Sequence, residues 1–392
     1  MPLQASASCG SSRVSRDGGR TCILVLGMHR SGTSALSRVI SLLGAALPKN
    51  LMPPRPNDNE AGFWEPRDLW TLHDQMLAEA GSRWDDWRKL DLSALPPDRL
   101  RHYKAEIGRL IAEEYGGARL IVLKESRICR FVPLYTGLLA ELGYKCHCVL
   151  ALRNPLGVMA SLARRDGMTE GFAALLWLRH VLDAEAATRA MPRVIVSYDA
   201  LLADWQTTVR ILSTRLGVEW PRAAGDVRSE IGNFLSNELR HFASSQRELQ
   251  ARGDIVAWVR DAYEALLRAE RNPDDMLVYS VLDCVRDEFE AASPALGAAL
   301  FPELAEREQK FALERGRLAD EMAQVRATSF LLQVQLEEKE DVIQRLIPEL
   351  EGRQRLIEHL VSECEERLRV SEERRELIQR LSDALKKTRR IW

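Results

Sequence analysis

Hydrophobic and polar positions divide this chain into two parts with different repeating patterns. In the first part, short apolar runs alternate with stretches whose apolar residues recur at helical spacing. Such runs are typical of buried parallel strands, and the alternation predicts an α/β fold with helices on both faces of a parallel sheet. The predicted strands span 21–26, 119–123, 145–152 and 193–197. Helices are predicted near 34–44, 67–80, 97–115, 131–142, 155–165 and 170–190.

The second part begins near residue 303, where glycine nearly disappears and Glu, Arg, Gln and Leu dominate. A heptad a series runs from Met322 to Leu385 in steps of seven, whereas charged residues interrupt the d series. This pattern predicts a C-terminal α-helical coiled coil that associates with a second copy. The alternative is one solvated helix that folds back on the first domain. Pro348 and Gly352 are predicted to kink or split the helix.

These patterns predict three segments. Residues 1–20 are rich in Ser, Gly and Arg without an apolar run, which favours a disordered tail. An α/β domain is predicted over 21–300 and a coiled-coil region over 301–392. Within the first domain, 48–66 contains five prolines and is predicted to be a long loop, and such loops are often functional.

Composition narrows the classes of function. The 392 residues include 46% hydrophobic side chains, enough for a sizeable core. The net charge of −2 gives no general attraction to nucleic acid or an anionic membrane, so we expect no nucleic-acid partner and only local anion binding. No apolar stretch approaches the roughly 20 residues that a membrane span requires, and we see no signal-peptide pattern.

The cysteines indicate the compartment. Seven cysteines without disulfide-type spacing favour a reducing environment, and we therefore expect the cytoplasm. Cys146 and Cys148 flank His147, a grouping that also occurs in zinc sites. These residues lie in a predicted strand, where alternate side chains point to opposite faces, so no metal site is predicted.

A glycine-containing loop joins the first predicted strand to the first predicted helix. Gly27 and Gly32 have the spacing of the phosphate loop G-x-x-x-x-G-K-[ST], and Ser34 occupies its Ser/Thr position. Thr33 replaces the lysine, and the cation stands earlier, at Arg30. The strand–loop–helix context predicts an anion bound by amides at the helix start. The alternative is a turn without a ligand.

A second element follows the third predicted strand. Arg153 ends that strand, at the edge where open α/β sheets bind ligands. Pro155 suits the first turn of the next helix, and Ser161 lies two turns along it. A guanidinium and a hydroxyl in this arrangement can hold one phosphate. The alternative for Arg153 is a surface ion pair.

Together these two elements resemble the PAPS-dependent sulfotransferases, where PAPS is 3′-phosphoadenosine 5′-phosphosulfate. In that family a Lys or Arg followed by Ser-Gly-Thr-Thr/Ser holds the 5′-phosphosulfate, and Arg-(Asn/Asp)-Pro…Ser holds the 3′-phosphate. The resemblance covers about 21–245 and implies a P-loop NTPase-like fold, PAPS as sulfo donor without a metal, and a hydroxyl or amine acceptor. Its bacterial branch implies a carbohydrate acceptor. The implied donor contacts are Arg30, Ser31, Gly32, Thr33, Ser34, Arg153 and Ser161.

The sequence also departs from the family. Lys124-Glu-Ser-Arg127 resembles a Lys-Asp-Pro-Arg segment of the bacterial branch, with the Asp-Pro pair replaced, so the roles of Lys124 and Arg127 stay open. The segment 196–202 resembles a Tyr-Glu-Asp-Leu segment and is interpreted as structural. The usual C-terminal Lys-Gly loop is not evident, and we expect 234–241 near its place.

Sulfo transfer requires a general base and a cation near the leaving oxygen. Arg30 is our candidate for the cation. Carbohydrate and protein-tyrosine sulfotransferases often place a glutamate base on the loop after the first helix, and this resemblance implies Glu65, with Glu60 as the alternative. Either carboxylate can instead be a solvated loop charge or a helix cap. His73 is a weaker candidate for the base.

Four tryptophans in this region suggest a wall for the acceptor or simply part of the core. They are Trp64, Trp70, Trp84 and Trp87. Two other functions stay open. A nucleotide kinase requires a lysine at position 33 and a strand-ending Asp for Mg²⁺, and neither is evident. An inactive sulfotransferase-like scaffold would act through its coiled coil.

Overall fold

The structure is a computed structural model, and it describes residues 19–54, 59, 62–235 and 245–388. Four strands form one sheet in the order β2-β1-β3-β4. They are β1 (Arg20–Leu26), β2 (Leu120–Lys124), β3 (Tyr144–Leu152) and β4 (Arg193–Ser197). Every neighbouring pair is parallel. The predicted fold class is therefore confirmed, and the predicted strands agree to within one residue at each end.

Twelve α-helices are assigned within the described residues. They are α1 (Thr33–Leu42), α2 (Arg67–Glu79), α3 (Pro97–Tyr115), α4 (Ile128–Glu141), α5 (Pro155–Asp166), α6 (Glu170–Thr188), α7 (Tyr198–Ala203), α8 (Trp205–Leu216), α9 (Arg228–Phe234), α10 (Gln246–Ala251), α11 (Ala257–Arg271) and α12 (Met276–Thr388). Helix α4 begins three residues before its predicted start, because the turn after β2 passes directly into the helix.

The sheet is buried on both faces, which explains why its strands are continuous apolar runs. Along β1, Ile23 and Val25 join a core formed with α1, α7, α8 and α9. The alternate residues, Cys22, Leu24 and Leu26, are also fully buried. Helices α4 and α6 pack against this sheet and each other. Because all four strands are parallel, the segments that follow them meet at one edge of the sheet.

The chain divides into two compact units between Ala299 and Leu300. In the second unit, α12 runs without interruption through Pro348 and Gly352, so the helix is not split there, and the predicted kink stays a prediction. A proline removes one N–H donor and its ring crowds a carbonyl of the preceding turn, but the helical bonds of the flanking turns are retained. The self-association predicted for this region and its boundary at 301 stay predictions. Among the helices of the described residues, none contains a hydrophobic stretch of membrane-spanning length.

Candidate functional site

The loop between β1 and α1 has a backbone that requires glycine. Gly32 has a φ of 86° at the N-cap of α1, and Arg30 has a φ of 70° on the loop. A Cβ on Gly32 would lie 2.4 Å from Cδ2 of Tyr198, which packs against the loop from the end of β4. Gly32 therefore meets both a conformational and a steric requirement.

The start of α1 has unused capacity for an anion. A glycine N-cap has no side chain with which to satisfy the first-turn amides, and those amides carry the positive end of the helix dipole. Ser31 is only 1% exposed, and its Oγ has no hydrogen-bond partner among the described residues. Gly32, Thr33 and Ser34 follow directly. This geometry suits a phosphate or a sulfate group.

The structure brings together three predicted site residues that lie far apart in the sequence. Arg30 Nε donates a hydrogen bond to Ser161 Oγ at 2.6 Å. Arg153 Nη1 donates to the backbone oxygen of Arg30 at 2.9 Å, and its guanidinium lies 5.0 Å from the centre of the Tyr198 ring. Asn154 caps α5 by accepting from the amide of Leu156, which fixes the start of the helix that carries Ser161. The two predicted elements therefore form one contact network.

A lysine reaches the start of α1 from the neighbouring strand. Lys124 Nζ, at the end of β2, lies 2.6 Å from Glu65 Oε2 and 3.4 Å from Ser34 Oγ. Asn59 Nδ2 also donates to Ser34 Oγ, at 3.1 Å. Thr33 occupies the usual lysine position of the loop, so Lys124 supplies a cation beside the helix start instead. The sequence had left the role of this lysine open.

Glu65, the candidate base, is buried beside this lysine. Its side chain is 6% exposed and that of Lys124 is 4% exposed. Burial raises the pKa of Glu65 above its ordinary value, and the charge of Lys124 opposes the rise. A carboxylate with a raised pKa accepts protons more readily, as a general base must. The alternative base, Glu60, lies outside the described residues, as do positions 236–241 of the segment expected to replace the Lys-Gly loop.

Glu125 anchors a buried polar network behind the site. It accepts from Arg127 Nη1 at 2.7 Å and contacts His73 Nδ1 at 2.5 Å. Arg127 also donates to Asp74 at 2.7 Å, and His73 Nε2 contacts the hydroxyl of Tyr135 at 2.6 Å. Both ring nitrogens of His73 are thus engaged inside the network. Burial alone would raise the pKa of Glu125, but Arg127 and His73 hold it well below its usual range.

Two of the four tryptophans lie in apolar or aromatic packing. Trp87 is fully buried, with its ring centre 4.9 Å from that of Phe172. Trp64 packs edge-on against Phe234 at 6.4 Å, and the guanidinium of Arg38 lies 4.4 Å from its ring. The core interpretation therefore holds for Trp87.

The other two tryptophans lie beside charged or titratable groups. Trp70 is 36% exposed, and the guanidinium of Arg127 lies 5.7 Å from its ring. Trp84 packs edge-on against His29 of the loop between β1 and α1, with ring centres 5.4 Å apart. Trp84 therefore contacts the loop itself.

No group of three or more His, Cys, Asp or Glu residues within the described part of the chain is arranged to hold a metal ion. The six cysteines that the structure describes are free. Cys22 pairs in register with Cys146 across β1 and β3, and burial raises the pKa of the Cys22 thiol.

Comparison with known proteins gives matches to solved structures only. No family model matches the chain, and no curated protein matches it. Among solved structures, it is similar to a sulfotransferase domain from the Synechococcus PCC 7002 olefin synthase, with 17% identity, a TM-score of 0.35, and coverage of 57% of this chain and 84% of that one. It is also similar to a sulfotransferase domain from the curacin biosynthetic pathway, with 17% identity, a TM-score of 0.32, and coverage of 51% and 75%.

Proposed function

We propose that this chain is a sulfotransferase that moves a sulfo group from PAPS to an acceptor hydroxyl or amine. The observation that carries the proposal is the direct contact of Arg30 with Ser161 and of Arg153 with the loop, at the carboxyl edge of a parallel sheet. A loop for one anion and an Arg–Ser pair for a second anion, held side by side, match a donor with two separate anionic groups.

The donor's two anionic ends are assigned to different parts of this network. The loop and the first turn of α1, from Ser31 to Ser34, receive the 5′-phosphosulfate. Arg153 and Ser161 receive the 3′-phosphate. In the structure, Arg30 donates to Ser161. When the 3′-phosphate binds to Ser161, the side chain of Arg30 leaves this contact and turns to the leaving oxygen.

Transfer is an in-line displacement at sulfur. The acceptor oxygen or nitrogen forms a bond to sulfur while the bond from sulfur to the bridging oxygen breaks, and the electron pair stays on the 5′-phosphate of adenosine 3′,5′-bisphosphate. Glu65 takes the acceptor's proton. Arg30 and Lys124 stabilise the charge that develops on the leaving oxygen.

Three further parts of the proposal concern acceptor, compartment and assembly. A carbohydrate is our proposed acceptor, on the resemblance to the bacterial branch. The free cysteines support a cytoplasmic location. In the second unit, a-position residues Leu336, Ile343 and Leu350 are 54–63% exposed, and we propose that a second copy of this helix covers them.

A ligand-binding experiment tests the central claim. Adenosine 3′,5′-bisphosphate should raise the melting temperature, whereas ATP with Mg²⁺ should not. Arg153→Ala should weaken bisphosphate binding about tenfold or more, because a charged hydrogen bond is worth roughly 1.5–3 kcal/mol. Arg210→Ala, on the exposed face of α8, is the matched control. Stabilisation by ATP alone would favour a kinase, and no response to either ligand would favour the inactive scaffold.

A further inference from the structure

His29 has a ring nitrogen that nothing in the described chain satisfies. It precedes Arg30 on the phosphate loop, and its Nε2 is shielded from solvent without a hydrogen-bond partner among the described residues. A buried polar atom left in this state destabilises the fold. Native structures retain such atoms where a water or a ligand completes them, or where they serve catalysis.

The ring of His29 is held by packing. It meets Trp84 at an interplanar angle of 81°, and the guanidinium of Arg165 lies 5.7 Å from the Trp84 ring. Arg165 is in the last turn of α5, the helix that carries Ser161. The imidazole therefore packs on Trp84, which in turn contacts the helix that carries Ser161.

Burial and neighbouring charges favour the uncharged form of this imidazole. Burial and the charges of Arg165 and Arg127 lower the pKa of His29 well below its usual value. A neutral imidazole offers one N–H donor and one lone pair, so it can donate to or accept from a hydroxyl.

Adjacent loop residues have different partners. The side chain of Arg30 contacts Ser161, on the side assigned to the donor, whereas the ring of His29 packs on Trp84. Lys124 lies 3.4 Å from Ser34 Oγ, in the first turn of α1, and pairs with Glu65. The unsatisfied nitrogen of His29 is thus not among the loop groups that we assign to the donor.

We infer that His29 is an acceptor-binding residue, whose Nε2 hydrogen-bonds the attacking hydroxyl beside the phosphosulfate, and that Trp84 positions its ring. This inference rests on the proposed function. It adds a contact that orients the nucleophile, while the proton still passes to Glu65. Water is the smallest hydroxyl acceptor, so slow hydrolysis of PAPS reports on the same contact.

The test compares donor binding with donor hydrolysis in matched variants. In His29→Ala, the Kd of adenosine 3′,5′-bisphosphate should stay within about twofold of wild type, and release of sulfate from labelled PAPS should fall about tenfold, the value of one hydrogen bond. His29→Gln retains a polar amide in the side chain and should restore part of the rate. Trp84→Ala should lower the rate without changing the Kd, and His102→Ala, at an exposed histidine on α3, should change neither.

Each other outcome counts against the inference. If folded His29→Ala protein releases sulfate at the wild-type rate, the nitrogen only holds a structural water, whether or not the variant has lost thermal stability. A loss of bisphosphate affinity like that of Arg153→Ala places His29 in the donor site. Bisphosphate binding without hydrolysis above the buffer rate in wild type also contradicts it. A wild-type protein that does not bind the bisphosphate refutes the proposed function itself, so the two failures are distinguishable.

Discussion

At the scale of single residues, the site depends on how buried charges are compensated. Glu65 and Lys124 are both nearly inaccessible and lie 2.6 Å apart. Removal of one partner from a buried pair leaves an uncompensated charge, whereas the intact pair contributes little net stability. The proposed role of this pair in the chemistry of the loop therefore does not depend on a contribution to stability.

Lys124→Gln should change both the rate and the pH dependence of PAPS hydrolysis. The lysine charge favours ionised Glu65, so its loss raises the pKa of Glu65 further. If Glu65 must be ionised to act as a base, the acid limb of the rate then moves to higher pH. The plateau rate should fall by on the order of 100-fold, because a cation at the leaving oxygen is lost.

Rates measured across the acid range, with Lys89→Gln as control, decide this prediction. Lys89 pairs with Glu290 at the surface, so its removal should leave the profile unchanged. An acid limb that stays in place or moves to lower pH in Lys124→Gln would remove Glu65 as the base.

At the scale of elements, the loop between β1 and α1 depends on left-handed backbone positions. Gly32 and Gly167 both have positive φ, at 86° and 67°, but their surroundings differ. A Cβ at Gly32 meets the Tyr198 ring, whereas a Cβ at Gly167 meets nothing within 4 Å. Alanine at Gly167 would therefore introduce conformational strain alone, whereas alanine at Gly32 would add a steric conflict.

Gly32→Ala should abolish measurable binding of adenosine 3′,5′-bisphosphate. The new methyl group would displace Tyr198, whose ring lies against the guanidinium of Arg153. Gly167→Ala should cost about 1–2 kcal/mol in unfolding free energy, the cost of the left-handed conformation, and leave binding unchanged. Calorimetric titration and urea unfolding of both variants provide the comparison. Equal binding in Gly32→Ala and wild type would show that the loop tolerates a side chain and does not hold the donor closely.

Element prediction succeeded where the pattern is local. The strands 145–152 and 193–197 were predicted within one residue because buried parallel strands are short apolar runs bounded by polar turns. The start of α4 was missed because the Glu125–Arg127 turn is held by buried side chains rather than by a cap that the sequence displays. The helix is not split at Pro348 because the helical turns on both sides outweigh the lost hydrogen bond and the crowding that a proline causes.

At the scale of the whole molecule, the second unit exposes apolar side chains at many of its heptad core positions. Exposed residues include Met322, Ile343, Leu346, Leu350 and Ile357. An isolated helix gains nothing from exposing such residues. Pairing with a second copy would contribute a favourable free energy of about 25 cal/mol for each Å² of apolar area removed from water. The heptad spacing of the a series matches this mode of association.

The double variant Ile343→Asp and Leu350→Asp should shift the full chain to the monomer in sedimentation analysis, because two charges replace apolar layers at the interface. Gln344→Asp with Arg355→Asp, at heptad positions b and f, is the matched control and should leave the mass unchanged. A monomeric wild-type chain, or a double variant of unchanged mass, would contradict self-association through this face.

The sequence by itself determined the parallel α/β class, the strand–loop–helix at Gly27–Ser34 and the heptad region, because these features depend on residues near each other along the chain. Only the tertiary structure decided which side chains meet. Arg30 and Ser161 are 131 positions apart, and Lys124 and Glu65 are 59 apart, yet each pair is in hydrogen-bond contact. Those contacts follow from the strand order β2-β1-β3-β4, which brings distant carboxyl ends to one edge and which no local pattern encodes.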